Sequence, residues 1–342
     1  LDSCTNFKSY IHKAKDLGQT SICFTEHGNI YNWIEKKMYC ESTQYKVESS
    51  KLTESLFVEE KELNKCKEKY DDIKITELKP IKYIHGVECY LTEKLYEYPE
   101  VPDEWFEAQL GRDAKEMQEE YGEILEEGKK KIRDNYHTIL IAKNYAGLQE
   151  INTLIDLSTQ EDHFYYKPRI TFDEFKNISS NVIKISACLA SPLNKLRDES
   201  LIQYYDYLEV QPHVYSEEQK EYNQWLYQMS LKYNKPLIAG TDTHSLNKYK
   251  AECRSILQRA KHITFTNEDE FDLTYKSYDE LVNMFEQQDS LPKNVYLEAI
   301  ENTNRMAASV EEFELDKSFK YAKCYDDDES VLKKRVNERY AE

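Results

Sequence analysis

The chain has 342 residues, with 46 Lys+Arg against 64 Asp+Glu, a net charge of −18, 40% hydrophobic residues and a mean hydropathy of −0.81. That balance argues against a protein that grips nucleic acid broadly through its own surface, because phosphate contacts need local positive charge. No apolar run approaches the ~20 residues of a membrane-spanning helix, so no membrane association is expected.

The length suits one large domain or two ordinary ones. The opening "LDSCTNFKSY" lacks a basic start followed by an apolar stretch, so no secretory leader is read there. It also lacks Met, so a fragment or processed form is expected. The eight cysteines include no C-x-x-C pair, which suits reduced thiols in a cytoplasm.

In chain order, apolar β-branched runs alternate with segments of helical period. Strands are predicted at Ser21–Thr25, Ile81–Leu91, Thr138–Ala142, Val182–Ala187, Tyr207–Val210 and Pro236–Thr241. Helices are predicted at Tyr31–Glu41, Tyr145–Leu157, Leu193–Tyr205, Glu217–Asn234 and Lys248–Lys261. In Glu217–Asn234, Tyr222, Trp225, Leu226, Met229 and Tyr233 fall on one helical face behind Ser216 as N-cap. This alternation predicts an α/β fold with a largely parallel sheet or barrel. Residues 42–79 and 97–134 are charged and read as insertions. Within the second, Ala114, Met117, Tyr121, Ile124 and Leu125 keep helical spacing. Beyond about Phe265 the alternation stops, and the remainder reads as helices and loops.

In parallel α/β folds, reactive groups gather at the C-terminal ends of strands. Glu26 and His27 follow the first strand, Cys188 the fourth, and Asp242 and His244 the last. Glu88 lies within the second strand. His137 precedes the third strand, at the wrong end for this rule. Each has a plainer reading: a turn histidine, a buried thiol, a solvent-facing glutamate. The D-x-H spacing of Asp242 and His244 is more specific, since period-two geometry aims both side chains one way. Recurrence of His, Cys and carboxylate at several strand ends points to a metal site. His12 and His262 are read as surface residues. His85 and His163 have no evident partner, and His213 is read as a possible pocket residue.

Seven blocks in this order carry a family resemblance: "FTEHGNIYNWIE", "IKYIHGVECYL", "YHTILIAKNYAGLQEINTLIDLS", "YYKPRITFDEF", "IKISACLASPL", "YLEVQPHVYSEEQKEYNQWL" and "PLIAGTDTHSLNKYKAECRSIL". They resemble the polymerase and histidinol phosphatase (PHP) domain at the N-terminus of bacterial DNA polymerase III alpha subunits. The later "YKSYDELVNMF" and "YLEAIENTNRMAASVEEFEL" resemble the stretch leading toward the polymerase palm. The resemblance implies a distorted (β/α)7 barrel over residues 1–264 carrying the charged insertions. A mostly helical segment, 265–342, would then lead toward the palm. It also implies up to three divalent metal ions (Zn, Mn or Fe) and a phosphoesterase site serving 3′–5′ exonuclease proofreading or pyrophosphate hydrolysis.

Carried over by residue, Asp2, His27 and His244 match one metal site. Glu88, His137 and Cys188 match a second, with Glu88 bridging to the first, and Asp242 matches a ligand of the remaining site. Glu88, Asp242 and His244 are the implied catalytic residues. Glu26 stands where the family has Asp. The family's H-x-H pair precedes the first residue of this chain and is expected to be encoded upstream. Implied partners are a DNA primer-template, reached through the intact polymerase, and other replisome subunits. The competing readings are a structural module of the polymerase that does not hydrolyse anything, and a stand-alone histidinol-phosphatase-like enzyme.

Overall fold

The computed structural model describes residues 3–263, 271–316, 318 and 323–340. By contacts the chain divides into two units, 1–311 and 312–342. The second contains the helix Asp328–Tyr340, which buries none of its residues.

Seven strands frame the first unit: β1 (Ser21–Phe24), β2 (Lys82–Thr92), β3 (Tyr136–Ala142), β4 (Arg169–Thr171), β5 (Val182–Ile185), β6 (Leu208–Val210) and β7 (Leu237–Ala239). The first five form one sheet in the order β1-β2-β3-β5, with β4 also on β2. β1 runs parallel to β2, in register from Ser21 with Lys82 to Phe24 with His85. Further along β2, β4 takes over in parallel, pairing Tyr90 with Arg169. Between β1 and β4 the chain peels away at His27, which keeps one bridge to Glu88. β6 and β7 form a separate parallel pair. A single bridge, Ile185 with Tyr207, links β5 to the start of β6.

The sheet is not largely parallel as expected, because β3 runs antiparallel to both β2 and β5. The physical reason lies in the second insertion. It is closed at its base by an antiparallel pairing of Tyr96–Glu97 with Lys130–Lys131. The chain therefore returns at the end of β2 where it left, and β3 runs back along its neighbour. Within this insertion the helices Asp103–Ala108 and Ala114–Gly128 bury no residues.

The first insertion is more ordered than its charge suggests. Gln44–Glu48 pairs antiparallel with both Leu56–Val58 and Lys74–Leu78. The helix Glu60–Lys69 covers this sheet, and Val47, Leu63 and Cys66 form a small core of their own.

The longer helices around these strands are α1 (Phe7–Asp16), α2 (Trp33–Cys40), α3 (Tyr145–Ser158), α4 (Glu217–Tyr233), α5 (Lys248–Ala260), α6 (Tyr278–Gln288) and α7 (Lys293–Ser309). Side-chain oxygens cap several of them: Ser216 accepts from Gln219 N on α4, and Asn247 from Lys250 N on α5. Both satisfy an amide that the helix leaves unpaired. The predicted helix over Leu193–Tyr205 is broken. Arg197 turns left-handed (φ 54°), separating Pro192–Leu196 from the 3-10 helix Glu199–Tyr204, which Asp198 caps.

The main core joins Ile84, Ile141, Ile183, Ile185 and Ile238 with Met306 and Val310, so α7 belongs to it. Asn302 on α7 donates to the Leu237 carbonyl at 2.7 Å. A second cluster, Ile11, Ala14, Ile22, Cys40, Ile81 and Tyr83, seats α1 and α2. Ile84 and Glu88 lie four residues apart on β2 and share a face. The apolar core therefore gives way directly to the polar rim above it.

Candidate metal centre

A cavity of about 870 Å³ opens at this rim, lined among others by His27, Glu88, Cys188, Glu209, Asp242 and His244. Its floor is the core's Ile84, Ile141, Ile185 and Ile238.

Glu88 is 5% exposed and sits at the centre. The bridge that aims His27 at it is made by the backbone: Glu88 N donates to Glu26 O at 3.1 Å, and Gly28 N donates to Glu88 O at 2.8 Å. His137 reaches the same place because β3 is antiparallel. Its register partner is Tyr90, two residues beyond Glu88 and on the same face of β2. A residue at the start of β3 is thereby set beside the later half of β2. The strand-end rule failed for His137 because it assumed a parallel neighbour.

His27 Nδ1 lies 3.3 Å from Glu88 Oε1, and His137 Nδ1 contacts the same oxygen. One ligand atom from each of His27, Glu88 and His137 fits within 4.8 Å of the others. Cys188 Sγ is 3.5 Å from His137 Nδ1. On the other side, His244 Nε2 stands 3.3 Å from His27 Nε2, and Asp242 Oδ1 is 3.6 Å from His244 Nδ1. Asp2 lies outside the described residues. The other six predicted residues converge on one rim.

The chemistry of the donors points to a metal. His244 Nδ1 donates to the Asp242 carbonyl at 2.7 Å, which leaves Nε2 facing His27. The donor set of imidazoles, carboxylate and nearby thiol suits a zinc-like divalent ion. The residues present fit such an ion.

The electrostatics are those of a cluster withdrawn from water. Burial pushes the Glu88 carboxyl up, but His137 and His27 outweigh it and hold it well below the usual carboxylate range. Burial, reinforced by Asp242 and Glu88, keeps the Cys188 thiol well above its ordinary value. Burial also raises Asp242, with Glu88 adding to the rise and His244 opposing it. The backbone at two positions is left-handed without being glycine: Ala187, just before Cys188, at φ 63° and Asp242 at φ 46°. Such residues cost about 1–2 kcal/mol each and persist where the surroundings impose them.

Glu209 was not singled out by the sequence. Its carboxylate lies over Gly240, where an added Cβ would fall 2.1 Å from Oε1. It accepts from Gln211 Nε2 at 2.6 Å, and Gln211 Oε1 in turn meets His213 Nε2 at 3.1 Å. The E-x-Q-x-H alternation was the available signal. Burial pushes Glu209 up to about 8, with Asp242 and Glu88 adding to the rise against the Gln211 bond.

In the unfolded chain that carboxyl ionises near its ordinary 4.5, so the folded state binds more protons between there and about 8. Stability is therefore lost as pH rises through this window. In chelator-treated protein, Glu209→Gln is expected to melt with the parent near pH 4.5 and progressively above it toward pH 8. Melting curves across this range with a constant gap would contradict this.

Four of the remaining histidines have structural partners, and His262 is exposed, as expected. His85 is buried between Tyr83 OH (3.0 Å) and Asn152 Oδ1 (3.2 Å), and burial lowers it to about 4. His163 bonds Asp162 and Glu174, at 2.8 and 2.9 Å. His12 is not a free surface residue: it stacks on Phe57 at 4.3 Å and bonds Tyr39 at 2.7 Å. His213 is buried against Phe271 and does not line the cavity. Glu26 pairs with Lys36 of α2.

Comparison with known proteins gives a consistent set of likenesses. The family model for the PHP domain matches residues 1–301. The DNA polymerase III subunit alpha of Borreliella burgdorferi is 26% identical, aligned over 92% of this chain and 23% of its own length. That of Aquifex aeolicus is 24% identical over 75% of this chain and 18% of its own. The PolC-type DNA polymerase III of Clostridium perfringens is 27% identical over 52% of this chain and 13% of its own. The chain thus spans less than a quarter of the length of these relatives. Among the described residues, no helix is long and apolar enough to cross a membrane.

Proposed function

The chain belongs to the PHP domain family, and on that premise we propose that it is the metal-dependent phosphoesterase module of a replicative DNA polymerase III alpha subunit. The observation that carries this reading is the convergence of His27, Glu88 and His137 on one point, beside a cavity lined by His27, Glu88, Cys188, Asp242 and His244. β1 to β5 and the β6–β7 pair are read as arcs of the family's distorted seven-stranded barrel, joined by the Ile185–Tyr207 bridge. The helices after residue 264 are read as the path toward the palm.

Glu88, His137 and Cys188 would hold one ion, and His27 and His244, with Asp2, a second, Glu88 reaching both. Asp242 completes the set. Zinc, manganese or iron fits these donors better than magnesium or calcium. A divalent ion bound there supplies Lewis acidity toward a phosphoryl oxygen and activates water. The chain's own residues do the rest. Glu88 stays ionised between two imidazoles, and His244 is locked in one tautomer by the Asp242 carbonyl. Glu209 retains its proton near neutrality on the cavity wall. The substrate would be the 3′ end of a primer during proofreading, or pyrophosphate. Its setting would be a cytoplasmic replisome, with DNA reached through the intact polymerase.

The test is digestion of a mismatched 3′ primer end by the intact polymerase, with its metal content measured in parallel. Shortening of the primer that stops on chelation and returns with manganese or zinc is expected. Stoichiometric metal without any shortening would assign the site a structural role in the polymerase instead.

A further inference from the structure

The segment Tyr165-Tyr166-Lys167-Pro168 borders the metal centre without supplying a ligand to it. Pro168 packs on the turn that carries His27: a Cβ on Gly28 (φ 61°) would lie 2.6 Å from Pro168 Cγ and 3.0 Å from Tyr90 Cε2. Lys167 Nζ donates to Tyr90 OH at 3.0 Å and sits 4.7 Å from the centre of that ring. Tyr90 in turn stands edge-on to His137 at 5.2 Å and stacks with His27 at 6.1 Å. The segment is therefore coupled to two candidate ligands through direct packing.

Tyr166 is the apex of a turn closed by Tyr165 N donating to Lys167 O at 3.1 Å. Its φ of 59° is left-handed, a conformation in which a Cβ crowds the backbone and which large side chains rarely adopt. Yet the residue is 72% exposed, so no core packing rewards the strain. The turn is held from below. Arg169, fully buried, donates from Nε to the His163 carbonyl at 3.1 Å and from Nη1 to that of Ile132. Tyr165 lies 4.6 Å from Tyr166 ring to ring, and the Arg133 guanidinium is 5.4 Å from the Tyr166 ring centre. In a chain of net charge −18, Arg133 lies beside the exposed Tyr166 ring, and the exposed Lys167, next in the chain, covers the buried Tyr90 ring.

An outward aromatic side chain kept at the expense of backbone strain, with one cation beside its ring and another next to it in the chain, matches what an unpaired nucleotide needs: a stacking surface and a phosphate contact. We propose that Tyr166 and Lys167, supported by Tyr165 and Arg133, form a subsite for single-stranded nucleic acid leading into the metal centre. Tyr166 stacks on a base, and Lys167 meets the backbone phosphate. The inference rests on the phosphoesterase reading and names its substrate as a strand with unpaired bases. Two cations are too few to hold a duplex on so acidic a surface.

The test is fluorescence anisotropy of a fluorescein-labelled oligothymidylate in EDTA, titrated with the chain at several salt concentrations. Tyr166→Ala is expected to weaken binding about tenfold or more. Lys167→Ala should flatten the slope of log affinity against log salt by roughly 0.7. Tyr166→Gly should lose affinity equally while melting no lower than the parent, since glycine accepts the left-handed backbone. Oligothymidylate affinity and salt slope unchanged in all three variants would overturn the proposal, as would duplex of the same length binding as tightly. The readout requires neither metal nor turnover. Absent hydrolysis would therefore sink the phosphoesterase reading alone, and unchanged binding the subsite alone.

Discussion

Glu88→Gln is expected to abolish the metal centre while leaving the fold standing. The substitution keeps the volume of a buried side chain and one carbonyl oxygen toward His27 and His137, but removes the charge that the imidazoles surround. Among the described candidate ligands Glu88 alone is the carboxylate that touches both histidines of the tight trio, so its loss strips a ligand from every ion proposed here. Removing groups that merely orient a ligand already costs 10–100-fold in metal affinity, so a drop of at least ~100-fold is expected. Hydrolysis by the intact polymerase should fall on the order of 10³-fold. Elemental analysis of the purified variant, beside its circular dichroism spectrum, checks both halves. Full metal content in the folded variant would remove Glu88 from the centre.

The second large effect is on stability and lies away from the site. Gly147, in the first turn of α3, faces the chain just before β5. A Cβ there would lie 2.0 Å from the Asn181 carbonyl oxygen and 2.8 Å from its carbon. Neither atom is free to yield. The same carbonyl accepts from Lys143 N at 2.9 Å, and the Asn181 side chain bonds Asn144, whose own oxygen caps the helix on Gly147 N. Gly147→Ala should therefore cost about 3 kcal/mol, against the ~1 kcal/mol that alanine gains by helix propensity. For a chain of this size that is a melting point lower by roughly 4 °C. A rise in melting temperature on Gly147→Ala would mean that helix and loop can part at little cost, and that this packing does not set the position of β5.

Much of the frame was legible because its signals are local. The strands at Ser21 and Lys82 and the helices at Tyr145 and Glu217 carry their own periodicity and caps, and all recur within a few residues of the expected bounds. What escaped was non-local or masked by charge. The first insertion reads as charged and without period, yet a strand needs only Val47 and Gln44 inward to pair on both sides. The break at Arg197 depends on one left-handed residue that apolar spacing cannot reveal.

The site divides the same way. His27, Asp242 and His244 follow strands, and position alone marks them as candidates. His137 needed the antiparallel turn-back of β3, which only the closure of the second insertion explains. Glu209 looks like any strand residue until its neighbour, Gly240 just after β7, leaves room for its carboxylate. The partners of His85 and His12 come from distant segments, Asn152 and Phe57, so both residues looked unpaired or exposed in the linear sequence.

Anomalous diffraction from crystals of the chain grown with zinc or manganese tests the central claim most directly. Peaks are expected at the cavity rim, each bonded to Glu88 at ~2.0–2.2 Å, one together with a ring nitrogen of His137 and the other together with a ring nitrogen of His27. A loaded crystal with its anomalous peaks elsewhere, and none bonded to Glu88, would contradict the assignment.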